Sequence, residues 1–238
     1  MKAIRILAIE SSAKPASTAI AEDGRLVCLY YQNSGMTHSK TLLPMIENML
    51  SACMLDMNEI DLIAAAGGPG SFTGIRIGCA TGKGLSWASS TLCCPVSTLE
   101  AMAHQCLDFT DHLICACMDA RRGQVYNALF TQEKGQISRL CQDRALSIDE
   151  LYDDIKNTEK SILLIGDGAE LCYNHMRKFL QGSPECRLRL ASEHIRFQNA
   201  WGVALAALSK DPSQYGELNP VYLRPSQAER ERLGGKPE

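Results

Sequence analysis

No two cysteines in this chain are separated by two residues, and no two of its histidines lie four apart. The first absence removes the thiolate spacing of a structural zinc site, and the second removes any helix that would present two imidazoles to one metal. Excess positive charge is also missing. Lys and Arg number 24 against 27 Asp and Glu, for a net charge of -3. No basic field is available to attract a phosphate backbone, so any work on a nucleic acid needs a partner's charge. The apolar run at the amino terminus meets polar residues by Glu10, too soon for a signal-peptide core or a membrane span. The expectation is a cytoplasmic protein that engages no membrane.

What is present is material for a core. The 238 residues are 45% hydrophobic, which suits one large or two small domains packed together. Eleven cysteines would suggest a disulfide framework in a short secreted chain. Here Cys79, Cys93, Cys94, Cys106, Cys115 and Cys117 sit inside apolar runs and read as reduced core residues.

The pattern along the chain predicts strands at Ile4–Ile9, Thr18–Ala21 and Leu26–Tyr31, with a hairpin turn at Glu22-Asp23-Gly24. Leu42, Leu43, Ile46, Met49, Leu50 and Met54 then recur at helical spacing, so an amphipathic, Met-rich helix starts near Thr37 or His38. Asp61–Ala66 reads as a strand running into Gly67-Gly68-Pro69-Gly70, Thr73–Ala88 as a helix, Cys93–Val96 as a strand and Leu99–Leu107 as a helix. The order βββαβαβα is that of a ribonuclease-H-like unit.

The second half repeats this opening: strands at Leu113–Met118, Val125–Phe130 and Gln136–Arg139, and a helix from Ser147. A strand at Ile162–Ile165 follows, then Gly166-Asp167-Gly168, a helix to Leu180 and a last helix over Phe197–Leu208. The prediction is therefore an α/β chain of two ribonuclease-H-like halves, the actin, Hsp70 and sugar-kinase class of fold. Residues 1–107 form the first half, joined by the C-terminal helix, and residues 108–238 form the second with a sparse, fraying tail from Pro225.

Two loops bear on chemistry. Glu10, Ser11 and Ser12, with Ser17-Thr18, place small hydroxyls and free amides at a hairpin tip, which fits either a phosphate contact or a plain polar turn. The Gly67–Gly74 loop precedes a helix N-terminus, where unpaired amides favour an anion. Its glycines miss the GxGxxG spacing by one residue, and the stretch from Gly78 to Lys83 falls one short of a P-loop. Glu10, Ser11, Ser12, Gly68, Gly70 and Thr73 are accordingly the candidates for weak ATP or ADP binding. Ser11-Ser12-Ala13-Lys14 fits SxxK without that motif's companions. Met118-Asp119-Ala120-Arg121-Arg122-Gly123 ends a strand with an acid and two guanidiniums, which form either a structural ion network or donors facing an interdomain cleft.

Taken together, five segments resemble the TsaB family from end to end. They are Glu10-Ser11-Ser12, His38–Pro44, Gly68-Pro69-Gly70-Ser71-Phe72-Thr73-Gly74-Ile75-Arg76-Ile77-Gly78, Met118–Tyr126 and Pro220-Val221-Tyr222-Leu223-Arg224. The third is shared in outline with TsaD, the catalytic paralogue of the same fold. In TsaD-type enzymes a His-xxx-His metal pair follows this loop and its helix. The matching positions here look like Thr98 and Met102, and a hydroxyl with a thioether does not make a Lewis-acidic centre.

The resemblance therefore implies a non-catalytic scaffold with no required cofactor and no metal. It would pair with a TsaD-type subunit that transfers threonylcarbamoyl to adenosine 37 of tRNA, recruit a TsaE-type ATPase, and meet tRNA only through that complex. It also implies a pairing surface on the two helices His38–Met54 and Thr73–Ala88, able to support homodimers. The interface residues would be His38, Leu42, Met45, Ile46, Met49, Ile75 and Arg76. The wide apolar arc of the first helix supports this independently, because methionine adapts to more than one partner. The rival readings are an ATP-dependent phosphotransferase using Glu10 or Asp119, and a peptidase-like enzyme of the same fold.

Overall fold

The computed structural model describes residues 3–179, 187–213 and 217–225. Strands β1 (Arg5–Glu10), β2 (Ala16–Glu22) and β3 (Arg25–Gln32) form an antiparallel meander. Asp23 and Gly24, at φ 48° and 74°, make its first turn the tight, doubly left-handed kind that matches strand twist. Helix α1 (His38–Ala52) leads to β4 (Leu62–Gly68), α2 (Phe72–Ser89) leads to β5 (Leu92–Ser97), and α3 (Thr98–His104) follows. The second half runs β6 (His112–Arg121), β7 (Gln124–Glu133), β8 (Gln136–Arg139), β9 (Arg144–Ser147), α4 (Ile148–Ile155), β10 (Ser161–Ile165), α5 (Ala169–Met176), β11 (Leu188–Leu190), α6 (Glu193–Arg196) and α7 (Ala200–Ala207).

The two sheets have one topology. The first is ordered β3-β2-β1-β4-β5, and the second, from its hairpin edge, β8-β7-β6-β10-β11, with β9 added beside β7. In each, the first three strands are antiparallel and the last two run parallel to the first. The chain thus has the predicted pair of ribonuclease-H-like halves in the actin and sugar-kinase class of fold.

The central parallel strand β4 is buried on both faces, which is why it reads Leu-Ile-Ala-Ala-Ala-Gly-Gly without alternation. On one face of the first sheet lie α1 and α2, packed on Leu7, Ile9, Ile20 and Ile63. On the other face α7 packs Ala200, Val203, Ala204 and Ala207 against Ile6, Ala8 and Ala64. Helix α7 therefore packs in the first sheet's core. Short α3 is shared: Ala101 faces α7, while Leu99, Met102 and Ala103 enter the core of the second sheet with Ile114, Ala116 and Phe130.

A charged tie reinforces that junction. Glu100 on α3 accepts from Arg139 Nη2 at 3.2 Å and from Lys210 Nζ at 2.8 Å. Burial alone would raise the Glu100 carboxyl, but the two cations outweigh it and hold it below the ordinary carboxylate range.

Several boundaries differ from expectation. Helix α1 ends at Ala52 rather than at Met54, which sits in a left-handed turn at φ 53° and is 90% exposed. The last helix is shorter, opening at Ala200 because Asn199 caps it by accepting the Gly202 N–H. Strands β9 and β11 and helix α6 are additions to the predicted elements. The predicted end of α5 at Leu180 and the tail beyond Pro225 lie outside the described residues. All six cysteines expected in the core are buried as free thiols. No helix of the described residues is long and apolar enough to cross a membrane.

Candidate functional site

A cleft of about 580 Å3 opens between the halves, and its walls come from matching places in the two repeats. Ser12, Ala13 and Lys14 follow β1; Gly70, Ser71 and Phe72 follow β4; Met118, Asp119, Ala120 and Arg121 end β6; and Asp167 follows β10. These four segments are the carboxyl ends of strands, where open α/β sheets gather their ligands, and Tyr126 near the start of β7 completes the lining.

Of the six residues expected to contact a nucleotide, Ser12 and Gly70 line this cleft. The other four do not, and each absence has a cause. The Ser11 hydroxyl is turned away and donates to the Gly74 carbonyl at 2.9 Å, where it braces α2 against β1. A Cβ on Gly68 would lie 2.4 Å from the Val221 carbonyl, so that glycine serves the C-terminal segment instead. Thr73 stands on the exposed side of the first turn of α2. Glu10 is fully buried behind the cleft wall, with Oε1 accepting the Ser12 N–H at 2.6 Å and Oε2 unpartnered.

Burial pushes the Glu10 carboxyl up from 4.5 to about 7, the Ser12 hydrogen bonds oppose the shift, and nearby Asp167 adds to it. Asp167 is itself raised, by burial first and then by the like charge of Asp119, although it accepts from Gln198 Nε2 at 2.9 Å. Asp119 does not enter a buried ion network. It pairs with Arg121, whose side chain is 86% exposed, at the cleft wall. The cleft thus has an acidic floor and a cationic rim of Lys14 and Arg121. Among the described residues, no three His, Cys, Asp or Glu side chains are placed to hold a metal ion. Thr98 and Met102 are both fully buried, and Met102 packs in the second sheet's core.

Residues 221–224 run beside the cleft as a strap, bordering Gly70, Phe72 and Tyr126. The Val221 N–H donates to the Gly67 carbonyl at 2.7 Å, Tyr222 stacks on Phe72 at 4.6 Å, and Arg224 Nη1 donates to the Ala120 carbonyl at 3.1 Å. Arg76 donates to the Tyr222 hydroxyl at 2.7 Å. Both halves are therefore tied by one short segment.

The expected partner-facing residues divide sharply. Leu42, Ile46, Met49 and Ile75 are buried in the chain's own core, with Met49 Sδ accepting from the Thr18 hydroxyl at 3.6 Å. Their apolar spacing reflects packing on the sheet rather than an open surface, which corrects the reading of Met49 in particular. His38 is half-buried and its Nε2 contacts the Ala13 carbonyl at 2.8 Å, so it fixes the cleft loop to the start of α1. Met45 is half-buried and Arg76 exposed. The apolar side chains that do reach solvent here are Met36, Leu43 and Trp87, with Ala80 and Gly84 also outward on α2.

Sequence reasoning missed Asp167, Lys14 and Phe72 as cleft residues. The signal for Asp167 lay in the repeat itself, since its Gly-Asp-Gly turn follows β10 as the glycine loop follows β4.

The chain matches a family model described as "TsaD: tRNA N6-adenosine threonylcarbamoyltransferase" over residues 32–178, more than half its length. It is 28% identical to the tRNA threonylcarbamoyladenosine biosynthesis protein TsaB of Bacillus subtilis over 94% of this chain and 96% of that protein. It is 30% identical to the protein of the same name from Buchnera aphidicola subsp. Acyrthosiphon pisum, over 70% of this chain and 76% of the other. Among solved structures, YeaZ from Pseudomonas aeruginosa shares the fold with a TM-score of 0.77 at 22% identity, covering 92% of this chain and all of that one.

Proposed function

The chain belongs to the TsaB (YeaZ) family, and from that premise we propose that it is the non-catalytic scaffold of a tRNA N6-threonylcarbamoyladenosine transferase complex. In this reading it pairs with a TsaD-type catalytic subunit and recruits a TsaE-type ATPase, and tRNA meets it through the complex. The observation that carries the reading is the outer surface of α1 and α2, where Leu43 is exposed on α1, and on α2 Trp87 is exposed on the same face as the small residues Ala80 and Gly84. Small residues let a partner helix approach closely, and large apolar ones anchor it. The positions where the resemblance places a metal-binding His pair hold Thr98 and Met102, which favours a subunit that enables transfer without performing it.

The test is an omit-one assay with TsaD, TsaE, the threonylcarbamoyl-adenylate synthase, ATP, threonine, bicarbonate and tRNA, counting labelled threonine on tRNA. Modification is expected only when this chain is present. Leu43→Asp is expected to weaken pairing with the TsaD-type subunit roughly a hundredfold, the scale of losing an interface anchor. Stability should stay within about 0.5 kcal/mol because the site is exposed. Full modification without the chain, or undiminished pairing by Leu43→Asp and Trp87→Asp alike, would refute the scaffold role or its surface respectively. The same surface supports self-association in the isolated protein, so Leu43→Asp should also shift any dimer to monomer in sedimentation.

Nucleotide binding in the cleft is at most weak. Lys14 offers one cation to a phosphate, but Asp119 and Asp167 repel it. Titration calorimetry with ADP should show a weak, saturable signal that Lys14→Glu abolishes; tight binding insensitive to that change would be inconsistent with this arrangement. Those same two carboxylates are what an ATP-dependent phosphotransferase would use, and ATP hydrolysis lost in Asp167→Asn would favour that rival.

A further inference from the structure

The strap sets an exposed aromatic ring among cations. Tyr222 stacks on Phe72 with centroids 4.6 Å apart and planes 10° from parallel, and Arg76 Nε donates to its hydroxyl at 2.7 Å. The Arg76 guanidinium lies 5.4 Å from the Tyr222 ring centre and 5.9 Å from that of Phe72. Such similar distances put it at the edge of the stacked pair, because a cation over the far face of Tyr222 would be much further from Phe72. Both neighbours therefore leave that far face open, and Tyr222 is 40% exposed.

Cations stand on either side of the ring. Arg224 Nη1 donates to the Ala120 carbonyl at 3.1 Å and Lys83 Nζ to Asn219 Oδ1 at 2.7 Å, so neutral acceptors fix both head groups without cancelling their charge. Lys14 and Arg121 line the cleft together with Phe72. Of the cleft's two lining acids, Asp119 is paired with Arg121 at 3.3 Å and Asp167 lies in the floor. Positive charge is thus gathered here although the chain as a whole carries -3. A flat ring open on one face, with guanidiniums around it, suits the base and phosphates of an unpaired nucleic-acid segment. An apolar protein partner would strip water from these cations without pairing them, and a duplex would offer the ring no free base. The acidic floor repels phosphate, which favours a strand lying across the rim over a nucleotide held inside.

We propose that Tyr222 and its surrounding cations form a direct contact for a single-stranded RNA segment, with one base stacked on the open face of Tyr222 and the flanking phosphates at Arg76, Arg121 and Arg224. That the RNA is the tRNA rests on the proposed function; the stacking contact does not. Arg76 is also an exposed residue of α2, so this contact adjoins the surface proposed for the TsaD-type subunit.

The test installs the photocrosslinker p-benzoylphenylalanine at Val221, which is 52% exposed and leaves the Tyr222 stack intact. Labelled unmodified tRNA is irradiated at low salt with the full-length chain alone and with its pair with the TsaD-type subunit, and affinities are measured by fluorescence anisotropy. A covalent product is expected with the pair and, in lower yield, with the chain alone, at an unpaired nucleotide. Tyr222→Ala should weaken binding by the pair at least about fivefold, the scale of losing one stacked base. Tyr222→Phe keeps the ring and should bind as the wild type does. Arg224→Glu should weaken binding and reduce its salt dependence. No crosslink in either sample, a crosslink confined to base-paired nucleotides, or equal binding by the wild type, Tyr222→Ala and Arg224→Glu overturns the contact. Pairing is scored separately by gel filtration: if no pair forms, the scaffold reading fails, and the chain alone still reports on the RNA contact.

Discussion

Gly74→Ala is expected to destabilise the protein by at least about 3 kcal/mol, although the same change in an ordinary helix interior stabilises by up to about 1 kcal/mol. Gly74 lies in the first turn of α2 with its Cα pressed on the loop after β1. A Cβ added there would sit 2.0 Å from the Ser11 carbonyl oxygen, a backbone atom that cannot swing aside, and 3.3 Å from His38 Cδ2. Helix α2 would have to retreat. That movement stretches the Ser11 hydroxyl bond to the Gly74 carbonyl and the 2.7 Å bond from the Ser71 N–H to the Ser12 carbonyl. Gly84, in the same helix, has open space for 4 Å around the point a Cβ would occupy, so Gly84→Ala should follow helix propensity and gain about 0.5–1 kcal/mol. Urea denaturation of both variants checks the pair. If Gly74→Ala unfolds at the same or a higher urea concentration than the wild type, the close approach of α2 to β1 is wrong.

That contact also explains what was legible in the sequence. The Gly68–Gly78 segment looked like an anion cradle because glycines precede a helix. Its glycines instead act largely by letting segments touch: Gly68 against the strap backbone, Gly74 against the Ser11 carbonyl and Gly78 against the Ser11 hydroxyl. One sequence pattern serves both purposes, and spacing alone cannot separate them. The repeated strand order was readable because hairpin turns and glycine-ended strands punctuate both halves, and tertiary packing did not override those local signals. Strand β11, three residues long, exists only through its pairing with β10, a non-local contact with no local signature.

Helix α1 shows a different limit. Periodicity finds the apolar face but cannot say which neighbour covers it, so Met49 looked available to a partner when the first sheet had already enclosed it. Burial of Leu42 at the same face as Ile46 and Met49 leaves Leu43, about 100° further round the helix, at the solvent edge, a distinction that apolar spacing alone did not draw. Asp167 and the strap were hidden for the reason that hides most sites. They are distant in sequence, and only the packed halves bring Asp167 to Ser12 and Gly70 and the strap to Gly70 and Phe72.

Stability is expected to fall as pH rises from about 5 to 8, and Glu10→Gln should remove most of that fall. The Glu10 carboxyl titrates at 4.5 in the unfolded reference and near 7 when folded. Between those values the folded chain holds a proton that the unfolded chain has released, so unfolding becomes easier with each step in pH. The benefit is complete below about 4.5, declines through the window and levels off above about 7. Its size is about 3 kcal/mol, from the shift of some 2.5 units. Asp167, also raised, acts in the same direction. His104 opposes both, because burial holds its pKa below the usual range and favours the folded state as pH rises. The difference between wild type and Glu10→Gln therefore isolates Glu10 better than either curve alone. Glutamine keeps a carbonyl to accept the Ser12 N–H and stays neutral throughout, at the cost of a buried amide where Oε2 had no partner. The variant should thus be the less stable protein at pH 5 and gain on the wild type by about 3 kcal/mol at pH 8. Urea unfolding at intervals across this range measures it, and parallel curves for the two proteins would mean that Glu10 is already ionised in the folded state.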